Sequence, residues 1–330
     1  MTHSTNRKRH HLRLGLALLA FSWLAAAQDT ASWPNRPITL VVASAPGSGV
    51  DGLAREVAQK LSITLKQPVL VDNKPGASGV LAGTTVARSK PDGYTWLYTT
   101  ASFMAVAPAV LQKMPYEPNK ELTPVAITAA GGVLLLVNKD LPANNLKELI
   151  ALIKSKPNAY SYGTWGVGSS GHLMMAWLQR QAKLQVNHVP YKSTPQIVNE
   201  LMGGVLPIGW TDPGTPVPML ESKQIKSIAI SGHVRGPRTA STATMTEQGY
   251  PFDAVGWFGV FAPTQTPKPI VERMNTEINK ALRTPEMAKR METMNFQPPP
   301  VKSVEEFKAI LAKDLKTWNS IAADTGITLE

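Results

Sequence analysis

The sequence contains no cysteine among its 330 residues. That absence excludes disulfide bonds, thiol catalysis and zinc–thiolate sites, so a hydrophobic core must stabilise the fold unaided. Beyond residue 27, no segment is long and apolar enough to cross a membrane, which takes about 20 residues. No run of Lys and Arg is dense enough to indicate a nucleic-acid partner. Acidic residues are few: 23 Asp and Glu face 34 Lys and Arg, and this excess favours anionic partners.

The first 27 residues have the pattern of a secretory signal peptide. A basic start precedes an apolar run over residues 14–24 and three alanines that end at Ala27. The run is too short for a membrane anchor, so we expect cleavage near Ala27 and export to the periplasm.

The remaining chain exceeds the usual size of one domain, which predicts two lobes. Apolar, β-branched runs alternate with segments of helical periodicity. The last helix is predicted to begin at Ser303, with Glu306 at the spacing of a capping box. This alternation predicts an α/β fold with mainly parallel open sheets and helices on both faces.

Three loops rich in Gly and Ser lie between a predicted strand and a predicted helix. They cover residues 44–51, 73–79 and 164–172. Ligands of open α/β sheets bind at the carboxyl ends of strands, where N–H groups at helix starts hold anions. One such loop alone is more often a simple turn, but three together predict an anion-binding cleft.

The first loop also has the spacing of a dinucleotide-binding motif. Gly47, Gly49 and Gly52 follow a strand, and Asp72 lies twenty residues after the last of them. Asp51 argues against this interpretation, because it would repel a pyrophosphate from within the loop. The third loop has the same spacing without an acidic partner. We therefore expect no cofactor, and keep an NAD(P)-dependent oxidoreductase as the alternative.

Other catalytic patterns are missing. No serine lies in a G-x-S-x-G motif, and His172, His188 and His233 lack the spacing of a metal site. The sequence therefore predicts a binding protein without catalytic residues or a metal.

Several side chains have two interpretations. Asp51 either stabilises a helix start or contacts the ligand, and Asp212 lies in a turn or contacts a cationic group. Trp165 and Trp210 are either core residues or stacking walls for a flat ligand. His172 either touches the ligand or makes a structural hydrogen bond.

Short motifs in a fixed order resemble those of the solute receptors of tripartite tricarboxylate transporters, also called Bug receptors. The resemblance runs over residues 33–326, nearly the whole mature chain. The motifs are Trp33–Ile38, Pro46–Asp51, Ala54–Arg55, Gln67–Val69, Asn73–Ala77, Pro91–Tyr94, Leu146–Ile150, His188–Lys192 and Lys316–Trp318.

The resemblance implies a type II periplasmic binding protein of the Venus-flytrap kind. Lobe 1 would comprise residues 28–128 and 254–330, and lobe 2 residues 129–253. It implies a monomer that binds a small carboxylate and delivers it to a membrane permease. A periplasmic sensor that signals to a kinase is a further alternative.

The loops and the resemblance together predict a set of ligand-binding residues. Family members usually have a glycine in place of Ser48 and a small residue in place of Trp165. These differences suggest an acid that is larger or flatter than an amino acid or citrate. An aliphatic di- or tricarboxylate and an aromatic acid both remain open as the ligand. The predicted set is Ser44, Ser48, Gly49, Asp51, Gly76, Ala77, Ser78, Trp165, Gly168, Ser169, Ser170, His172 and Asp212.

Overall fold

The structure is a computed structural model that describes residues 32–76, 79–252, 254–297 and 301–328. The predicted signal peptide, Ala77 and Ser78 lie outside the described residues. The strands are β1 Ile38–Val42, β2 Val69–Asn73, β3 Thr95–Thr100, β4 Leu122–Gly131, β5 Leu134–Asn138, β6 Ser161–Thr164, β7 Asn187–Pro190, β8 Ile208–Thr211, β9 Ile225–Ile230 and β10 Gly256–Pro263.

Helices flank these strands along the chain. The helices are α1 Gly49–Leu65, α2 Val80–Ala87, α3 Ala107–Val110, α4 Pro118–Glu121, α5 Leu146–Ser155, α6 Ser170–Ala182, α7 Thr194–Met202, α8 Val217–Glu221, α9 Lys268–Leu282, α10 Pro285–Thr293 and α11 Val304–Thr325, with a π-helical turn at Ser102–Val106. None of the helices in the described ranges combines the length and hydropathy that a membrane span needs.

The strands form two five-stranded sheets, which confirms the two-lobed α/β fold. The first sheet has the order β2-β1-β3-β10-β4 and the second the order β7-β6-β8-β5-β9. The sheets are mixed, not mainly parallel: β1 pairs in parallel with β2 and β3, whereas β10 is antiparallel to β3 and β4. The antiparallel pairing of β10 results from the crossing between the lobes, because β4 leads the chain out of the first sheet and β10 brings it back.

The second sheet repeats this division. β6 is parallel to β7 and β8, and β5 is antiparallel to β8 and β9. Each parallel set is followed by helices at the carboxyl ends of its strands, so the loops after β1 and β6 hold equivalent places in the two lobes. This arrangement brings the first and third Gly/Ser loops to the edge where the lobes face each other.

The final helix, α11, begins as the sequence predicts. Ser303 and Glu306 form a capping box, and Gly326 ends the helix in the left-handed conformation. The helix packs against β4 of the first sheet and α6 beside the second. Its Trp318 is buried against Phe252, so the C-terminal helix stabilises both lobes.

Candidate functional site

A cavity of about 610 Å³ lies between the two lobes. The loops after β1, β3 and β6 line it, together with strand ends of both sheets. Lining residues from the first lobe include Ser44, Gly76, Thr100, Ser102, Phe103, Lys113, Trp257, Phe258 and Phe296, and those from the second include Trp165, Ser170, Tyr191, Lys192, Ser193 and Asp212.

Several helices begin at the cavity. Val80 starts α2, Ser102 starts the π-helical turn, Ser170 starts α6, Thr194 starts α7, and Val50 is the second residue of α1. The first N–H groups of a helix lack intrahelical partners and carry a partial positive charge. The helix starts therefore give this cavity a potential that favours anions.

The first loop is held by hydrogen bonds of its own. The Ser48 hydroxyl donates to the Ala45 carbonyl at 2.9 Å and accepts from the Asp51 N–H at 3.2 Å. The Ser44 hydroxyl lies 2.7 Å from the Ser48 hydroxyl. Because Ser48 already donates its proton to Ala45, Ser44 is the donor in this pair. Ser48 is thus the N-cap of α1. Ser44 reaches the cavity, whereas Ser48 is not among its lining residues.

Asp51 fixes the first loop to the end of β2. Its carboxylate accepts from the Gly47 N–H at 2.9 Å and from the Asn73 amide at 2.8 Å, and it pairs with Arg55 at 3.0 Å. Burial alone would raise the pKa of Asp51, but the hydrogen bonds from Arg55, Gly47 and Asn73 outweigh it and lower the pKa. These partners occupy both carboxylate oxygens, and the side chain does not line the cavity.

Asp212 follows β8 and organises the turn after it. One carboxylate oxygen accepts from the N–H groups of Gly214 and Thr215, both at 2.9 Å. The other accepts from the hydroxyls of Thr194 and Thr215, both at 2.7 Å. Asp212 lines the cavity, yet four donors from its own lobe already satisfy its carboxylate.

The Asp212 turn also touches the first lobe. The Gly49 N–H donates to the Thr215 hydroxyl at 3.0 Å. A β-carbon at Gly49 would lie 2.3 Å from an Asp212 oxygen, so only glycine allows this approach. The amide that a dinucleotide pyrophosphate would need is thus bonded to Thr215, with a carboxylate beside it. This geometry argues against the dinucleotide interpretation of the first loop.

Ser102 makes another contact between the lobes, and sequence reasoning missed it. Its hydroxyl oxygen accepts from the Ser170 N–H at 2.7 Å and from the Trp165 indole N–H at 3.2 Å. It then donates to the Ser170 hydroxyl at 3.2 Å. The Ser170 hydroxyl keeps its own proton for another acceptor, and Ser170 lines the cavity.

Part of the third loop, including Gly168, Ser169 and His172, does not line the cavity. Ser169 caps α6 by accepting from the His172 N–H, and the Gly168 N–H donates to His172 Nδ1 at 3.2 Å. The rings of His172 and His188 stack with centroids 4.1 Å apart. Burial lowers the pKa of both, and the neighbouring His172 helps to lower that of His188 to about 3. Both imidazoles are therefore neutral at pH 7.

The structure thus divides the predicted set. Ser44, Gly76, Trp165, Ser170 and Asp212 line the cavity. Ser48, Gly49, Asp51, Gly168, Ser169 and His172 shape the loops behind it. Ala77 and Ser78 lie outside the described residues. Trp210, the other candidate for a stacking wall, is fully buried in the core.

The charges at the cavity favour an anion. Lys113 and Lys192 line it at exposed positions on opposite lobes. Asp212 is the one acidic residue among the lining residues that the structure describes, and its oxygens are occupied. No cluster of three or more His, Cys, Asp or Glu that could hold a metal occurs in the described parts of the chain.

This fold is that of two-lobed periplasmic binding proteins. A periplasmic transporter structure matches with a TM-score of 0.87 at 30% identity, over 91% of this chain and 100% of the other. Rpa4515 of R. palustris, solved with adipate, matches with a TM-score of 0.86 at 30% identity, over 90% and 99%. MatC (Rpa3494) of Rhodopseudomonas palustris, solved with malate, matches with a TM-score of 0.83 at 29% identity, over 88% and 99%.

The chain belongs to the tripartite tricarboxylate transporter family of receptors. The model of that family matches residues 53–327. The BugT protein of Bordetella pertussis is 30% identical over 314 residues, which cover 94% of this chain and 96% of BugT. The resemblance inferred from the short motifs is thereby confirmed.

Proposed function

We propose that this protein is a periplasmic receptor that binds a small carboxylate between its lobes and delivers it to a tripartite tricarboxylate-type membrane transporter. The observation that carries the proposal is the directed chain of donors at Ser102 and Ser170. Two N–H groups donate to Ser102, Ser102 donates to Ser170, and the Ser170 hydroxyl proton remains for a ligand. An ionised carboxylate is purely an acceptor, so it complements this end of the chain.

Two further features support a carboxylate. The starts of α6 and α7 lie at the same cavity, and each favours negative charge. The hydrogen bonds that lead to Ser170 polarise one another, which strengthens its hydroxyl as a donor. Structural relatives with 29 and 30% identity were solved with malate and adipate, which are both carboxylates.

Binding would act on the contact between the lobes. A ligand held by residues of both lobes stabilises the closed arrangement relative to an open one, so it shifts an existing equilibrium. The closed form would then dock on the permease. No covalent step is part of this mechanism.

Export and domain boundaries complete the proposal. The first 27 residues are removed near Ala27, and the mature receptor acts as a monomer. Lobe 1 comprises residues 28–128 and 254–330, and lobe 2 comprises residues 129–253. The strand crossings at Gly131 and Gly256 support boundaries close to these positions.

Isothermal titration of residues 28–330 with a panel of carboxylates tests the proposal. Ser170→Ala removes the terminal donor, so affinity should fall by about 5- to 150-fold, the equivalent of about 1–3 kcal/mol. Ser155→Ala is the matched control, because the Ser155 hydroxyl is exposed and donates only to the Leu152 carbonyl. Equal affinities of the two variants for every acid that binds would refute the role of Ser170. Absence of binding across the panel would refute the receptor function.

A further inference from the structure

The walls of the cavity are mostly apolar, whereas its end at Ser102 and Ser170 is polar. Beyond the donors at Ser102 and Ser170, the lining is dominated by carbon. The apolar and aromatic lining residues include Val80, Phe103, Trp165, Trp257, Phe258 and Phe296. A ligand that fits both regions has one anionic end and an apolar body.

Trp165 is held in a fixed orientation. Its indole N–H donates to Ser102 across the lobes. Its ring packs against Gly171, where an added β-carbon would lie 3.1 Å from a ring carbon. Because the polar atom is bonded and the ring is backed by the first turn of α6, the half-buried part that lines the cavity is carbon.

The opposite lobe presents a similar surface. The Trp257 indole N–H donates to Asp314 at 2.6 Å, so it also turns its polar atom away from the ligand. Phe258 is fixed by edge-to-face packing on Phe296, with centroids 5.0 Å apart. Rigid rings on both sides of a cavity suit a flat aromatic body, since stacking and edge contacts add to simple burial.

The volume of the cavity and the charged residues at it also bear on the type of ligand. The volume of about 610 Å³ lies in the range of pockets for drug-sized ligands, which is large for a four-carbon acid. Residues with hydroxyl donors, including Thr100, Tyr191 and Ser193, also line the cavity, whereas the apolar walls offer no donor. Lys113 and Lys192 are exposed to water, so they act by attracting anions to the mouth.

We infer that the ligand is an aromatic carboxylate, whose acid group lies at Ser170 and whose ring lies between Trp165 and the first-lobe rings. This inference rests on the proposed function, because it specifies the ligand of the same site. It predicts that aromaticity contributes to affinity beyond size and charge.

The test compares acids that differ in one property. Benzoate and cyclohexanecarboxylate match in charge and ring size, while adipate and malate represent aliphatic diacids. Titration of residues 28–330, refolded from denaturant to remove any retained ligand, should give benzoate about 3- to 10-fold tighter binding than cyclohexanecarboxylate. Both should bind more tightly than malate.

Substitutions at Trp165 locate the effect. Trp165→Leu should abolish the preference for benzoate, and Trp165→Phe should retain it. Both variants lose the hydrogen bond to Ser102, so their difference reports the ring alone. A preference unchanged in Trp165→Leu would overturn the stacking role.

The remaining outcomes separate the two proposals. Tighter binding of adipate or malate than of benzoate, or equal binding of benzoate and cyclohexanecarboxylate, would overturn the aromatic class and leave the receptor function standing. Failure of all four acids to bind would count against both.

Discussion

Removal of the Ser102 hydroxyl should shift the ligand-free protein toward the open form, against the contacts that Asn295 and Gln297 also make between the lobes. The hydroxyl is the shared partner of two donors in the second lobe, the Ser170 N–H and the Trp165 indole N–H. In Ser102→Ala both donors lose their partner in the closed arrangement. A buried donor without a partner costs about 1–3 kcal/mol. This applies in full to the Ser170 N–H and in part to the half-buried Trp165 N–H, so the pair costs about 2 kcal/mol. Opening lets water satisfy both groups, so the equilibrium should move about 30-fold toward the open form.

The absence of cysteine makes the measurement direct. Single cysteines replacing Ile63 in the first lobe and Val205 in the second carry spin labels at positions that are 69% and 73% exposed. Double electron–electron resonance then reports the distance between the lobes. Ser102→Ala should lengthen this distance or add a longer population, whereas the Ser155→Ala control should leave it unchanged. An unaltered distance in Ser102→Ala would refute the argument that this hydroxyl holds the lobes together.

Three further predictions follow from other contacts. Gly49→Ala should lower the unfolding temperature or open the lobes, because its β-carbon would lie 2.3 Å from an Asp212 oxygen. Calorimetry and the spin-label distance check this, and wild-type values of both would contradict it. Asp212→Asn should destabilise the protein by about 1.5–3 kcal/mol, since the Thr194 and Thr215 hydroxyls lose charge-assisted hydrogen bonds. A change of less than about 0.5 kcal/mol in the free energy of unfolding, measured with urea, would contradict it. The folded-state pKa of His188 is lowered to about 3 by burial and by His172, so stability should be lost as pH falls from about 6.5 toward 3. His188→Gln should flatten this slope in unfolding measured against pH, and an unchanged slope would contradict it.

Local features of the fold were predictable from the sequence. The capping box at Ser303 and Glu306 depends on residues three apart, and the structure contains it. The Gly/Ser loops after β1 and β6 also follow from neighbouring residues, because strand ends and helix starts have local signals. The direction of β10 was not predictable in this way. It depends on the return of the chain from the second lobe, which no short window encodes.

The candidate site was predictable in position but not in detail. Ser48 and Ser169 have the residue type of both a cap and a ligand-binding residue, and only the geometry assigns them to caps. From the sequence, Asp212 was either a turn residue or a contact for a cationic group. The four donors that bond to its carboxylate assign it to the turn. Ser102 lies in no motif. Its partners are 63 and 68 residues away, so its role arises only when the lobes meet.

Two of the hydrogen-bonded contacts between the lobes follow one rule. At the start of α1 the Gly49 N–H meets the Thr215 hydroxyl, and at the start of α6 the Ser170 N–H meets the Ser102 hydroxyl. In each case a helix start in one lobe is satisfied by a hydroxyl of the other. These amides belong to the helix starts that favour anions, so closure without ligand and binding of a carboxylate use the same kind of donor. A carboxylate is a stronger acceptor than a hydroxyl. The Ser170 hydroxyl proton is the donor that closure leaves over, so a carboxylate there adds a hydrogen bond to the closed form without breaking the contact at Ser102. This added bond couples binding to the arrangement of the lobes.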